Sequence, residues 1–385
     1  MPGYELIDNE EFLELKDLFE NSKILFRHSF DHMRNGIYKV KDFEVAFAKR
    51  MNARHSLAVT SGTAALRVAL AALNLKDGDE VITQSFTFVA TVESIIESRC
   101  VPVIAEIDKT LNMDPIDLEK KITKKTKAVI VVHMLGVPTR LKEIKKITDK
   151  YNINLIEDTA WGCGGFYEDI PLGTYGDMGT YSFDFAKTMT TGEGGMIVFN
   201  NENLFNKASA WHDHGHENNP NLPRWEDSRS SSGFNYRMNE MQGAVGLAQL
   251  NKLDVVVHNQ RKNAKLIVDA ISDLPIEMRT IPENSFETAD ALVFLVENNS
   301  IAIQCRDALI NEGLGTKILP EAISWHFAGT WNHMSELMDR NGVELYDAFP
   351  KSLSFLNRSV SLPISVNMVD DFESKIRSAL TSVLM

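Results

Sequence analysis

The chain has few cysteines and no long apolar run, and both absences narrow its class. Only three cysteines, Cys100, Cys163 and Cys305, occur among 385 residues, and no two have the CxxC spacing. This odd, scattered set argues against a disulfide framework and a cysteine-rich zinc site, and it fits a reducing cytoplasm. No apolar stretch approaches the roughly 20 residues of a membrane-spanning helix, and residues 1–12 are acidic and unlike a signal peptide. We therefore expect a cytoplasmic protein that is neither exported nor embedded in a membrane.

An excess of basic residues is also absent. The chain has 40 lysines and arginines against 53 aspartates and glutamates, giving a net charge of −13. Without a basic stripe to neutralise a phosphate backbone, nucleic acid is not an expected partner. No glycine, proline or serine tract suggests disorder, and 44% of the residues are hydrophobic, as in ordinary globular proteins. The length favours one large and one smaller domain, and the pattern of predicted elements places their boundary near residue 250, giving residues 1–250 and 251–385.

Short β-branched or apolar runs alternate with amphipathic stretches from about residue 57 to residue 199. This alternation is typical of an α/β fold, in which helices cover the faces of a parallel sheet. The predicted strands are residues 57–59, 80–83, 101–107, 128–132, 154–157, 179–183 and 196–199. Predicted helices include one carrying Leu66, Leu70 and Leu73, one over 141–151, and one over 239–250 followed by a polar stretch at 261–263. Residues 292–296 and 302–312 suggest a second βα unit.

The segment SFDFAKTMTTGEGG at residues 182–195 places Lys187 between a predicted strand end and a glycine-rich turn. A lysine that forms a Schiff base with pyridoxal phosphate needs a short segment held tightly against the sheet. Gly192, Gly194 and Gly195 permit such close packing. A solvated lysine at the end of an element gives the same local pattern, so this segment alone leaves both interpretations open.

Two segments carry groups that suit a bound phosphate. In SGTAAL, Ser61, Gly62 and Thr63 follow a predicted strand and open an alanine-rich helix, whose N-terminal N–H groups and hydroxyls attract anions. Ser182 lies at another predicted strand end, where its hydroxyl can add a contact. The alternatives are an ordinary helix N-cap and an unremarkable serine.

Two further residues suit a flat, nitrogen-containing ring. Asp158, in LIEDTAWG, directly follows a predicted strand, where a carboxylate can keep a pyridine nitrogen protonated and so improve the ring as an electron sink. Phe88, in SFTFVAT, follows the second predicted strand, where its ring can stack on a cofactor. A helix-capping aspartate and a core phenylalanine are the alternatives.

These segments occur in an order that resembles the DegT/DnrJ/EryC1/StrS aminotransferases, the sugar aminotransferases among fold-type I pyridoxal phosphate enzymes. The resemblance extends over most of the chain and includes DFEVAFAKRMN at 42–52, SGTAAL, SFTFVAT, VVHMLG, LIEDTAWG, SFDFAKTMTTGEGG and GFNYRMNEMQGAVGLAQL at 233–250. It implies a mostly parallel seven-stranded sheet flanked by helices, with a smaller α/β C-terminal domain.

The resemblance also implies roles for single residues. Lys187 would carry the cofactor and Asp158 would partner the pyridine nitrogen. Phe88 would stack on the ring, and the phosphate ligands would be Gly62, Thr63 and Ser182. Asn235 would reach the phosphate of the neighbouring subunit, which implies a homodimer with shared active sites and an inactive monomer. The sequence departs from the family at Trp161, where many relatives have glutamine near the ring hydroxyl; an indole N–H can donate a hydrogen bond but cannot accept one.

The activity implied is transfer of an amino group from glutamate to a keto sugar in the synthesis of bacterial surface polysaccharides. A narrower resemblance points to the transaminase that forms 8-amino-3,8-dideoxy-manno-octulosonate, and the alternative substrate is a nucleotide-linked keto-deoxyhexose. Two other activities stay open. One is a sugar dehydratase, although relatives of the colitose-pathway enzyme have histidine where this chain retains Lys187. The other is a non-catalytic regulator that binds pyridoxal phosphate.

The segment WHDHGH places His212, His214 and His216 at alternate positions. On an extended segment these side chains would share one face, as metal ligands do. The family resemblance instead matches His214 and Gly215 to an HG pair near the active site. We therefore predict no metal site and keep His214 as a substrate candidate.

Other candidate substrate contacts lie in two polar, aromatic segments. Arg224 and Arg229 lie in ENNPNLPRWEDSRSSSGF, and Arg237 follows it; any of the three can pair with a substrate carboxylate. His326 lies in SWHFAGTWNH, at residues 324–333 of the smaller domain. A solvated loop and simple domain packing are the respective alternatives.

Overall fold

A computed structural model describes residues 2–219, 221–338 and 344–385. Its largest sheet has seven strands, which in spatial order are His55–Val59, Gly195–Phe199, Met178–Ser182, Asn154–Asp158, Thr126–Val132, Glu80–Gln84 and Val101–Ala105. Gly195–Phe199 runs antiparallel to both of its neighbours, and all other pairs are parallel. The predicted fold, a mostly parallel seven-stranded sheet in an α/β protein, is confirmed.

These strands form where short apolar runs are buried on both faces, as a parallel sheet requires. In Thr126–Val132 every residue except Lys127 is buried. Helix Gly62–Ala72 covers one face, and its Leu66 and Leu70 belong to the same apolar cluster as Ile197 of the sheet. Full burial of each such leucine contributes roughly 1.5–3 kcal/mol. The leucines whose spacing predicted this helix thus lie on the face that it buries.

The α-helices are distributed along the whole described chain. They are Pro2–Glu5, Asn9–Asp17, Lys39–Arg50, Gly62–Ala72, Val89–Glu97, Pro115–Lys121, Leu141–Tyr151, Glu202–Trp211, Glu240–Ile271, Asn299–Asn311, Ile323–His326, Ser335–Met338, Pro350–Leu356 and Phe372–Leu384. Within the ranges given above, none of them combines the length and apolar character needed to cross a membrane.

The C-terminal part has its own sheet and core. Strands Glu277–Met278, Ala291–Leu295 and Ser359–Pro363 form an antiparallel sheet, on which Asn299–Asn311 and Phe372–Leu384 pack. The predicted second βα unit is therefore present. A further small sheet joins Ser285–Phe286, Phe166–Tyr167 and Ile170–Pro171.

The prediction that a helix ends near residue 250 is wrong. Helix Glu240–Ile271 continues through the polar stretch at 261–263, because buried residues such as Gln260, Ala264 and Ile267 keep the helical spacing around it. This helix also crosses the proposed boundary between residues 250 and 251. The division into two domains there stays a prediction.

Candidate active site

A cavity of about 290 Å³ lies at the carboxyl ends of the parallel strands, where α/β proteins commonly bind ligands. The predicted residues that line it are Gly62, Thr63, Phe88, Asp158, Trp161, Ser182, Lys187 and His326. The other predicted residues, all within the described ranges, lie outside its lining: His214, Arg224, Arg229, Asn235 and Arg237. The structure therefore brings the predicted cofactor residues together, apart from Asn235.

Lys187 reaches this cavity from a tightly hydrogen-bonded loop. Its side-chain Nζ lies 3.4 Å from the centroid of the Trp161 ring. The residue is half-buried, and its amine is the buried end. Burial lowers the pKa of Lys187 to about 8, so a substantial fraction of the amine is uncharged in mildly alkaline solution. An uncharged amine can act as a nucleophile or a base.

The N-terminal helix holds the backbone of this lysine, a contact that the sequence analysis missed. The N–H of Gly3 donates to the carbonyl oxygen of Lys187 over 2.9 Å. A Cβ at Gly3 would lie 2.7 Å from that oxygen, so the two segments pack at a distance that only glycine allows. The rings of Tyr4 and Phe185 are 6.2 Å apart and add an aromatic contact.

Asp158 is a buried carboxylate with hydrogen-bonding capacity to spare. Its Oδ2 accepts from the Thr91 hydroxyl over 2.9 Å, and its Oδ1 accepts from the Ala160 N–H over 3.2 Å. Burial raises the pKa of Asp158, while these two hydrogen bonds oppose that rise. An ionised carboxylate can accept about four hydrogen bonds, which leaves room for a ring N–H in the cavity. Thr91, which also contacts Thr87 at 2.8 Å, was not among the predicted residues. Its helical spacing of three residues from Phe88 is the signal that could have placed it on the same face.

The neighbouring Glu157 is buried among structural partners and does not line the cavity. Its carboxylate accepts from the N–H groups of Gly173, Tyr175 and Gly176. Its Oε2 also lies 2.9 Å from Nε2 of His133. Adjacent residues on a strand face opposite sides of the sheet. Two consecutive carboxylates consequently have different roles, and Asp158 is the one available to a ligand.

Another part of the cavity lining suits a phosphate. Ser61 caps helix Gly62–Ala72, and its hydroxyl accepts from the Ala64 N–H over 3.0 Å. A Cβ added at Gly62 would lie 2.7 Å from Cβ of Ser182. The helix N-terminus therefore packs so closely on the strand end that only glycine fits there without a shift. The first N–H groups of the helix, on Gly62 and Thr63, have no intrahelical acceptor and carry the positive end of the helix dipole. They can therefore hold an anion.

Aromatic rings form the remaining wall. Phe88 is 38% exposed, which leaves its ring available to a ligand. Its centroid lies 5.5 Å from the ring of His326 and 6.4 Å from the ring of Trp325. Burial lowers the pKa of His326 to about 4, so this imidazole is neutral at physiological pH. The wall can accept a flat ring stacked on Phe88.

These features together fit pyridoxal phosphate. The cavity lining includes a buried carboxylate for the ring nitrogen and a helix N-terminus for the phosphate. Phe88 and Trp161 also line the cavity, and the amine of Lys187 opens into it. Each group of the cofactor thus has a chemically matched side chain or helix terminus.

The histidines of WHDHGH do not lie on one extended segment, so the condition for a shared face is not met. His212 follows helix Glu202–Trp211 and its ring contacts the Ser209 carbonyl, whereas His214 is exposed with a φ of 55°. His216 is buried, with Nδ1 3.1 Å from Asp227 Oδ2. The chain turns at residues 212–216, directly after the end of helix Glu202–Trp211, so the alternate positions are not those of an extended strand. Across the described residues, no cluster of three or more histidine, cysteine or acidic side chains could hold a metal ion.

The candidate arginines lie on the same loop, away from the cavity of their own chain. Arg224 and Arg237 both bind the buried carboxylate of Asp213, and Arg224 Nη1 lies 2.8 Å from its Oδ2. Burial alone would raise the pKa of Asp213, but the two guanidinium groups outweigh it and hold that pKa well below its usual range. Arg229 and Asn235 are exposed. Contact of these residues with a substrate or with a neighbouring subunit stays a prediction.

Comparison with known proteins agrees with this site. A model of the DegT/DnrJ/EryC1/StrS aminotransferase family matches residues 27–381. The GDP-perosamine synthase of Vibrio cholerae is 30% identical over 375 residues, covering 96% of this chain and 95% of that protein. The spore coat polysaccharide biosynthesis protein SpsC of Bacillus subtilis is 31% identical over 360 residues, or 90% of each chain. A crystal structure of an aminotransferase from Psychrobacter cryohalolentis, 26% identical, has a TM-score of 0.85 and covers 100% of this chain and 98% of its own. The chain belongs to the DegT/DnrJ/EryC1/StrS family of pyridoxal phosphate-dependent sugar aminotransferases.

Proposed function

We propose that this sugar aminotransferase transfers an amino group from glutamate to the keto carbon of a nucleotide-linked keto-deoxyhexose, with a GDP-linked sugar as the first candidate. The observation that carries the proposal is the similarity to a GDP-perosamine synthase along nearly the whole of both chains. The product would enter polysaccharide synthesis. This substrate is the alternative that the sequence left open beside the octulosonate.

We assign the cofactor contacts to the residues that line the cavity. Lys187 bears the cofactor, Asp158 faces the ring nitrogen and Phe88 covers one ring face. The phosphate lies at Gly62, Thr63 and Ser182, where the helix N-terminus meets the strand end. Trp161 closes the wall beside Lys187.

The chemistry then divides among these side chains. Pyridoxal phosphate, when bound, supplies a protonated ring that withdraws electrons from the donor carbon. Asp158 keeps the proton on the ring nitrogen, because its ionised form is supported by the hydrogen bonds from Thr91 and Ala160. Lys187 Nζ, once released, accepts the proton from the α-carbon of glutamate, which requires the uncharged amine.

A homodimer would complete the site. Asn235 and Arg229 are exposed on the loop after the histidines and lie outside the cavity of their own chain. Such placement suits residues that act in the site of a neighbouring subunit. We therefore expect the dimer to be active and the isolated monomer to be inactive.

The octulosonate is the second candidate because of the similarity to a GDP-perosamine synthase, since a carboxylate and a diphosphate both need cationic partners. An eight-carbon keto acid needs a cation for its carboxylate. Two of the three candidate arginines, Arg224 and Arg237, are already held by the buried Asp213. The amine of Lys187 in the cavity also favours transamination over the dehydratase and over a regulator without activity.

The test is to incubate the cofactor-loaded protein with glutamate and a panel of keto sugars and to follow each by mass spectrometry. The panel contains GDP-4-keto-6-deoxymannose, a dTDP-linked keto-deoxyhexose and the eight-carbon keto acid. We expect amination of a nucleotide-linked sugar, and none with the Lys187→Ala variant. Loss of water without glutamate would indicate a dehydratase. Amination of the keto acid alone would overturn the proposed substrate, and amination by Lys187→Ala would overturn the role of that lysine.

A further inference from the structure

Trp161 lies close both to the proposed cofactor lysine and to a second, half-buried lysine that the proposed chemistry does not use. Lys317 Nζ is 4.9 Å from the centroid of the Trp161 ring, and Lys187 Nζ is 3.4 Å from the same centroid. Lys317 forms an ion pair with Asp290, at 2.5 Å from its Oδ2. Asp290 is 1% exposed. One indole ring therefore has two amines and a buried carboxylate around it.

The segment that carries Asp290 is fixed against the large sheet. The hydroxyl of Thr288 donates to the carbonyl oxygen of Trp161 over 3.0 Å, and the N–H of Thr288 donates to the carbonyl oxygen of Gly136 over 3.1 Å. A Cβ at Gly136, whose φ is +80°, would lie 2.1 Å from the Thr288 hydroxyl. Asp290 is thus held beside Trp161 by contacts that leave little freedom to move.

Asp290 also retains unused hydrogen-bonding capacity. Within the described part of the chain, its Oδ1 is buried and has no hydrogen-bond partner. A buried carboxylate oxygen without a donor is unfavourable, and it acts on nearby charges through a medium of low dielectric constant. Such a group is rarely retained for packing alone.

The charges that face Lys187 come from several elements. Asp290 and Lys317 approach from the C-terminal part, Asp184 lies on the lysine loop itself, and Asp158 ends a strand of the large sheet. His326, also nearby, is neutral because burial lowers its pKa to about 4. After burial itself, Asp290 has the largest effect on the charge of Lys187, followed by the opposing effect of Lys317.

We propose that Lys317 and Asp290 are positioning residues for Lys187: their charges, beside the same Trp161 ring, set what fraction of the released amine is charged. The proposal rests on the assigned role of Lys187 in the proposed function. An ammonium group over an indole face is stabilised by the ring, which would hold Lys187 in the charged form that cannot accept a proton. The positive charge of Lys317 near the same ring disfavours the charged form of Lys187. Asp290 keeps Lys317 in place and limits its effect.

The two members of the pair therefore predict shifts of opposite sign. Lys317→Met removes a like charge and leaves Asp290 unpaired, so the pKa of Lys187 should rise. Asp290→Asn removes an attracting charge and leaves Lys317 unpaired, so that pKa should fall. Each shift should be about one pH unit, the smaller end of the range for a neighbouring charge. Lys317→Arg keeps the charge and should leave the pKa unchanged.

The experiment is competitive labelling of the cofactor-free protein with acetic anhydride across pH, followed by mass spectrometry of the peptide that contains Lys187. The matched control is Lys351→Met, which removes another ion pair to a buried aspartate, Asp114, at 2.6 Å. Neither Lys351 nor Asp114 is among the charges that act on Lys187. Its labelling midpoint should equal that of the wild type. If Asp290→Asn fails to fold, the contrast between Lys317→Met and Lys317→Arg still decides the outcome.

Unchanged midpoints in both pair variants, or shifts in the same direction, would overturn the proposal. A rise in Lys317→Met with no change in Lys317→Arg would support it. The labelling uses neither cofactor nor substrate, so a failure here leaves the proposed function intact. Failure of the amination assay, in turn, would not move these midpoints.

Discussion

Replacing Thr91 with valine should make Asp158 harder to ionise and so weaken cofactor binding in mildly acidic solution. The Thr91 hydroxyl donates to Asp158 Oδ2 over 2.9 Å, and this hydrogen bond opposes the rise in pKa that burial imposes. Valine keeps the branched shape but removes the donor. Losing a hydrogen bond to a buried charge costs about 1.5–3 kcal/mol. Because one pKa unit equals about 1.4 kcal/mol, the pKa of Asp158 should rise by about one to two units.

The assay is the affinity of the cofactor-free protein for pyridoxal phosphate as a function of pH, measured by absorbance. The carboxylate must be ionised to hold a ring N–H, so affinity is highest above the pKa of Asp158 and falls as the pH drops through it. The Thr91→Val curve should lie about one to two pH units above the wild-type curve and merge with it in alkaline solution. Thr91→Ser retains the hydroxyl and should follow the wild type. A valine curve that coincides with the wild type, or lies at lower pH, would refute the partnership of Thr91 with Asp158.

Three further predictions concern single residues. Asp158→Asn should slow turnover by about two to four orders of magnitude, because breaking a buried charged contact costs about 3–5 kcal/mol. The same substitution should weaken cofactor binding far less. Equal losses of turnover and of cofactor affinity would contradict the role of the carboxylate. Gly62→Ala should lower cofactor affinity by about tenfold, as measured by titration, because its new Cβ would lie 2.7 Å from Cβ of Ser182. Gly315→Ala, where the new Cβ meets open space, is the control and should bind normally. Asp213→Asn should lower the free energy of unfolding by about 3–5 kcal/mol at neutral pH, because two arginines lose their buried partner. The pKa of Asp213 is depressed in the folded state, so the difference in unfolding free energy between wild type and Asp213→Asn should shrink below about pH 4. Denaturant unfolding at several pH values measures this difference, and a constant difference would count against the pairing.

The sheet was predictable because its strands are short apolar runs buried on both faces. All seven predicted strands exist, and their ends differ by at most a few residues. The strand predicted over 101–107 ends at Ala105, since Ile107 leaves the sheet to pair with Met113 in an isolated bridge. Apolar character continues past the strand end there, so composition alone could not mark its last residue.

The cofactor cavity was predictable for a related reason. Parallel strands end at one edge of the sheet, so Asp158 and Ser182, each the last residue of its strand, had to lie close together. Lys187 and Phe88 follow strand ends by only a few residues. Local sequence order was therefore enough to assemble most of the lining.

Contacts between distant segments were not predictable in this way. Asp290 and Lys317 approach Trp161 from the C-terminal part of the chain. Gly3 contacts Lys187 although the two residues are far apart in the sequence. No periodicity encodes these pairings, because they depend on how separate elements pack. The alternation of histidines at 212–216 would give a shared face only on an extended segment, and the chain instead leaves a helix there.

The central claim is that one amine, on Lys187, bears the cofactor. The most direct measurement is borohydride treatment of the protein loaded with pyridoxal phosphate, followed by digestion and mass mapping of the modified peptide. We predict that the cofactor is fixed covalently on the peptide at Lys187, and that Lys187→Ala prevents its fixation. Attachment to a different lysine, or a protein that takes up no cofactor at all, would contradict the account.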